Sequence, residues 1–390
     1  MTPTDPPPLP DLPPSPASPP PPLPLPPASA SASCGGLPAA PTLSVRSPAD
    51  LLAAVPYLLG FHPADSVVVV ALRGPKIVFA ARGDLPALGT PALARDATAR
   101  HLALVVVRQQ ADSAMIVGYG AAARVTPTVE LVGMALREAG IQVLEALRLT
   151  GDRYWSYLCD AVDCCPAEGT AYDAATTEVA ATATFAGQVA LPDRAALARQ
   201  VAPLDGPARE SMRQATRRAE ERLRELVDAA VPPAAADRVV RTVGEAAVQD
   251  AMTRHRDQGR LTDDELAWLT VLLPHLPVRD HAWERIGDDD WQVILWSDVV
   301  RRVDPELAAA PASLLAFAAW RAGNGALASV AIDRALRAEP DYSMALLIDE
   351  ALQLGTPPSM LADWPSARSR PGPRRPARPG RRRIRRRIGG

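Results

Sequence analysis

Cysteine is scarce in this chain, with four residues in 390. So few thiols, two of them adjacent, exclude the disulfide framework of a small secreted scaffold. Long apolar runs are missing too. The most hydrophobic C-terminal stretch, 305–332, is cut by Pro311 and Arg321 and stops at Asp333, so no segment reads as membrane-spanning. The N-terminus has neither the basic start nor the apolar core of a secretory signal. These absences lead to the expectation of a cytoplasmic protein with reduced thiols and no membrane association. Lysine is almost absent as well: Lys76 is the only one, so 41 of the 42 basic residues are arginine. Beside abundant Ala and Pro, that usage reflects a GC-rich coding sequence and carries little functional information.

What is present divides into four parts. Residues 1–41 hold seventeen prolines and almost no large apolar side chains. Such a segment cannot offset its ordering entropy by burial, so a disordered proline-rich head is expected. At the other end, 368–390 carry eleven arginines and no acid, within an arginine-rich tail at 359–390 that is also expected to be disordered. Removing those eleven charges from the net −2 leaves −13 on residues 1–367, an acidic body with a basic end. Nucleic acid is a conceivable partner through that tail alone.

Between the tails, 42–204 reads as an α/β domain with a mixed sheet. Ser47, Pro48 and Asp50 form a helix start, and Gly60 is the stop. The run Val67–Val70 continues to Leu72 as a buried strand, and Gly74-Pro75 turns into a second strand at 77–81. A helix near 91–100 leading to a strand at 102–107 is expected next. A strand at 114–119 and a helix at 127–139 capped by Thr126 follow, then strands at 141–149 and 153–158 and a strand-like stretch at 179–185. From 205 to 358 the period becomes helical. Two long amphipathic helices, 206–230 and 234–256, flank Pro232-Pro233, and Thr262-Asp-Asp-Glu265 opens a third as a capping box. The tryptophans at 268, 283, 291, 296 and 320 belong to this half and are expected in its core. Leu315, Gly323, Ala328, Ile332, Ala335 and Pro340 have the spacing of one tetratricopeptide-like helical hairpin, which could pack into the core or meet a protein partner.

Chemistry concentrates in 153–169. Cys159, Cys164 and Cys165 lie there beside Arg153, Trp155 and the two aspartates Asp160 and Asp163. Thiolates gain metal affinity and nucleophilicity near positive charge. A zinc ion on Cys159, Cys164 and Cys165, with His62 as fourth ligand, is one reading. A vicinal disulfide at Cys164–Cys165 is another, and ordinary packing of small apolar thiols is a third. His62 with Cys159 has the makings of a nucleophile pair. Arg153 either holds an anion or pairs with Asp152 or Asp160. Gly118-Tyr-Gly120-Ala-Ala-Ala123 imitates a dinucleotide-binding turn, but a helix beginning at Thr126-Pro127 would start too late for it, and no cofactor is assigned there. His275 and His281 read as surface or capping residues.

Tyr-Leu-Leu-Gly-Phe-His-Pro-Ala-Asp-Ser at 57–66, the segment 153–169 and Val278-Arg-Asp280 together resemble the actinobacterial "domain of unknown function 4192" family. The resemblance covers roughly 43–355 and leaves both tails outside. It implies a soluble protein and brings no established activity. Two functions fit these residues. One is a binding or regulatory module that recognises a partner or small ligand. The other is a hydrolase or group-transfer enzyme with a pocket formed by His62, Asp65, Arg153, Ser156 and Cys159.

Overall fold

The computed structural model describes residues 44–361 apart from Leu88, so the head, the fourth cysteine Cys34 and residues 362–390 of the tail lie outside the described residues. The chain enters through α1 (Pro48–Leu59), where Ser47 Oγ accepts from Asp50 N at 3.1 Å. Asp50 returns its carboxylate to Arg46 N at 3.0 Å, so the reciprocal cap closes one residue earlier than a capping box would. Gly60, at φ +79°, ends the helix. Then β1 (Ser66–Arg73) turns through Gly74 into β2 (Lys76–Asp84).

The stretch 102–107 is not a strand. It is the second half of α2 (Ala92–Arg108), a single helix of 17 residues. Between Arg100 and Leu102 there is no turn residue to break the chain. Ala99, Leu102, Ala103 and Val106 recur at helical spacing and are buried against the sheet, while Leu104 and Val107 face outward. Next come β3 (Ser113–Tyr119) and α3 (Ala122–Glu138). The latter starts five residues before the expected Pro127, which sits inside it. Thr126 does not cap; its Oγ1 meets the Tyr157 hydroxyl at 2.7 Å. Three further strands follow: β4 (Gln142–Thr150), β5 (Arg153–Ser156) and β6 (Thr170–Ala171). The sheet order is β2-β1-β3-β4-β5-β6, with only β3 and β4 parallel, so the sheet is mixed as expected.

Residues 179–185 correct a second strand expectation. They form α4 (Glu178–Phe185), capped by Thr177 Oγ1 on Ala180 N at 3.2 Å. Only Val179 and Ala183, one helical turn apart, are buried there. The helical half contains α5 (Arg194–Gln200), α6 (Gly206–Asp228), α7 (Ala236–Arg256), α8 (Asp263–Leu272), α9 (Leu276–Trp283), α10 (Asp290–Arg302), α11 (Ala309–Arg321), α12 (Gly325–Ala338) and α13 (Ser343–Gln353). Thr262 and Glu265 do form the reciprocal capping box at the start of α8. No helix among the described residues is long and apolar enough to cross a membrane.

Strand β1 alternates its side chains between two cores. Val67, Val69 and Ala71 pack with α2 and α3, joined by Ile116, Val125 and Val129. Val68, Val70 and Leu72 face α1 and merge with the helical half in one continuous cluster reaching Trp296 and Trp320. Trp268, Trp283 and Trp291 pack against that cluster only partly buried. α11 is buried from Ala309 to Trp320, so the α11–α12 hairpin spends its apolar faces on the core. The two halves are stitched again at the end of the chain. Arg108 Nη1 donates to Leu354 O at 3.0 Å, Gln109 Nε2 donates to Gly355 O, and Gly355 lies directly on Val105.

Two predictions follow from this packing. A Cβ at Gly118 would stand 2.2 Å from Val125 Cγ1, so Gly118→Ala must push α3 away from the sheet. Overpacking of that kind costs roughly 1–3 kcal/mol. Urea unfolding should register this loss, and Val125→Ala should relieve part of it; equal costs in both backgrounds would refute the contact. The second concerns His255, which is buried in α7 with Nε2 lacking a protein partner. Burial lowers its pKa below the ordinary value near 6.5, Asp298 opposes the shift, and Arg260 and Arg302 reinforce it. A depressed histidine pKa means that the unfolded chain takes up the proton first. Stability should therefore be complete above pH 6.5 and fall as the pH drops below it. His255→Phe should flatten part of that slope in pH-dependent unfolding. His281, lowered by burial and then by Arg285, supplies a remainder.

Candidate functional site

The cysteine loop leaves the sheet at the end of β5 and returns in β6, and the pairing of β4 with β5 decides how it is held. Arg148 stands opposite Trp155, and its guanidinium carbon lies 3.8 Å from the ring centre. Gly169, at φ +82°, packs on the same ring so closely that a Cβ would come within 2.5 Å of Cε2. Trp155 Nε1 donates to Ala167 O at 3.0 Å, and Arg153 Nη1 donates to Gly169 O at 2.7 Å. Thus Arg153 pairs with neither Asp152 nor Asp160; its fork clamps the returning limb of the loop. Arg148 was not among the residues singled out by sequence. Only the period-two register across the Gly151-Asp152 turn places it on the face that carries Trp155.

Within the loop, Cys164 N and Cys165 N both donate to Ala161 O, at 3.1 and 2.8 Å, and this turn folds the thiols together. Cys159 Sγ is 3.0 Å from Cys164 Sγ, and Cys164 Sγ is 3.8 Å from Cys165 Sγ. All three sulfurs lie within 4.8 Å of one another. Cys164 is exposed, and its two neighbours are half-buried. The thiols divide their roles. S–H donation from Cys164, then from Cys165, holds the Cys159 thiol below the ordinary cysteine range. Cys164 is raised by its bond to Cys159. Cys165 is pushed up to about 12, first by its bond to Cys159 and then by burial. Three sulfurs gathered this closely are a ligand set for a thiophilic metal ion and also hold a dithiol within reach of oxidation.

The other sequence candidates are placed elsewhere. His62 is exposed before β1, in a segment tied by Phe61 and its own N–H to Leu191. Strands β3 and β4 separate β1 from β5, a distance of about 14 Å at ordinary strand spacing. His62 also flanks the sheet end occupied by Tyr119 and Thr150, whereas β5 runs away from that end toward Cys159. The imidazole is accordingly not part of the sulfur group. Asp65, at φ +44°, binds Arg124 Nη1 at 2.8 Å. Ser156 Oγ donates to Glu145 Oε1 at 2.9 Å. Each of these groups holds its own local structure, and the structure brings together only the three thiols. His275 stands at the N-cap of α9 with Nε2 2.8 Å from Asp237, and His281 is half-buried.

The glycine turn after β3 also reads differently in three dimensions. Because α3 begins at Ala122, the helix does start directly behind Gly120, as in a dinucleotide-binding turn. The Asp65 carboxylate occupies that approach, however. Its Oδ1 would lie 3.2 Å from a Cβ on Gly120 and is paired there with Arg124, so an entering phosphate would have to displace this ion pair. Two surface concavities lie away from all these residues. One of about 470 Å³ is lined by Asp250, Arg254, Asp257, Glu265 and Trp268, and one of about 490 Å³ by Leu93, Arg95, Glu130, Leu131 and Met134.

The anchor of the loop is testable. Gly169→Ala combines a positive φ with a collision on Trp155, which should cost roughly 1–3 kcal/mol. It should also speed thiol modification of Cys159 and Cys165; unchanged stability and unchanged thiol rates would refute the clamp.

No curated protein and no solved structure matches the chain. A family model does, over residues 48–359, a span that opens with α1, contains the sheet and the cysteine loop, and closes just past α13. The head and the arginine-rich end fall outside it, and the chain belongs to the family described as "Domain of unknown function (DUF4192)".

Proposed function

We propose that the protein is a binding or regulatory module whose recognition element is the cysteine loop, fixed by a zinc ion on Cys159, Cys164 and Cys165. One observation carries this reading: three sulfurs gathered within 4.8 Å on an accessible loop whose backbone is clamped independently of them. Zinc–sulfur bonds of about 2.3 Å at the tetrahedral angle set sulfurs about 3.8 Å apart. Cys164 and Cys165 already have that separation, and the closer Cys159–Cys164 pair needs only a small opening. Among the described residues, no His, Asp or Glu joins the sulfur group. The fourth position is left to water or to a donor atom of the partner. Metal binding would release the thiol protons and lock the loop in one shape, which favours recognition by lowering the ordering entropy on contact.

The enzyme reading has no comparable support. Asp65, Arg153 and Ser156 are engaged in three different contacts, and His62 stands apart from Cys159.

Elemental analysis of protein purified without chelators tests the metal centre. About one zinc per chain is expected, falling at least tenfold in Cys164→Ser. Zinc near zero in the native protein, with all three thiols titrating freely, would end the proposal.

A further inference from the structure

The same sulfurs have a second property that metal binding leaves unused. The pair Cys159–Cys164 is closer than Cys164–Cys165, 3.0 Å against 3.8 Å, and needs about 1 Å of further approach to reach a covalent S–S length of about 2.05 Å. The adjacent pair could close only through a strained ring, whereas the turn on Ala161 O folds Cys164 back toward Cys159 across four intervening residues. Cys164 is exposed, so an oxidant can reach the pair. The clamps that hold the loop, Arg153 on Gly169 O and Trp155 on Ala167 O, involve no sulfur and survive a change in the thiols.

We infer that Cys159 and Cys164 are a reversible oxidation site for hydroperoxides, and that forming their disulfide expels metal from the loop. The second clause rests on the zinc reading above; the first does not. In the first step, one sulfur of the pair attacks the peroxide O–O bond. That bond breaks, an alcohol (or water, from hydrogen peroxide) leaves with the thiol proton, and a sulfenic acid remains. The other sulfur then attacks the sulfenic sulfur, the S–S bond forms, and the hydroxyl leaves with the second thiol proton as water. Two thiols are oxidised by two electrons in all, and one hydroperoxide is reduced. Cys165 is left as a single thiol, too few ligands to retain the ion.

The test uses the full chain carrying Cys34→Ser, so that the only thiols are those of the loop. After treatment with hydrogen peroxide, alkylation and peptide mapping, a Cys159–Cys164 crosslink reversible by dithiothreitol is expected. It should persist in Cys165→Ser and vanish in Cys159→Ser and Cys164→Ser, with bound zinc released in proportion to crosslink. A bridge mapped only to Cys164–Cys165, a purely intermolecular disulfide, or thiols unchanged by peroxide would overturn the oxidation site. A Cys159–Cys164 crosslink in protein that never held zinc would support that site while sinking the metal reading. A crosslink that forms with zinc retained would refute the expulsion clause.

Discussion

The structure hangs on a strand that has no polar side to offer. Val67 to Ala71 of β1 are completely buried, and their side chains alternate between two separate cores. A strand apolar on both faces forces both faces of its sheet to be covered. α2 and α3 cover one face. The other is covered by α1 together with the helical half, so the apolar cluster under the sheet continues without interruption into the tryptophan-rich core of α8 to α12. The return of the chain at Leu354 and Gly355 onto α2 closes the arrangement from the opposite side of the sheet. Helices that look like a second domain in sequence are thus a layer that the sheet requires.

The cysteine loop benefits from that rigidity without being part of the core. It hangs between β5 and β6 at one edge of the sheet, where Arg148, Trp155 and Gly169 form a stack and Arg153 fixes a carbonyl of the returning limb. These contacts restrain the backbone while leaving the sulfurs accessible. A site that must bind and release an ion, or be oxidised and reduced, needs that separation of duties. The exposure of Cys164 spares it the large desolvation cost that a buried thiolate would carry.

The legible parts of the fold are those governed by neighbours in sequence. The Ser47 start, the Gly60 stop and the Thr262–Glu265 capping box are set within four residues and were readable as such. The stretches 102–107 and 179–185 were not. Their Val, Thr and Leu content favours a strand in isolation, yet both are continuous with capped or Ala-rich helical turns and bury only one side. Pro127 misled in the same way, since a proline that suits a helix start was accommodated one turn inside α3. In the site, the thiol spacing announced a cluster, but the expectation that His62 completes it failed on topology. Two strands intervene, and β5 leads the thiols away from the end where the imidazole stands.

Composition and local pattern alone determined that this is an α/β region followed by helices, with a thiol-rich bend inside the α/β part, because those features depend on periodicity and on residues adjacent in the chain. Only the tertiary structure decided which of the reactive groups meet. Arg148 reached Trp155, Asp65 reached Arg124 and His62 missed Cys159 through strand order and register. Those pairings span from 7 to nearly 100 residues of sequence, and they are fixed by the burial of both sheet faces rather than by any signal at the residues themselves.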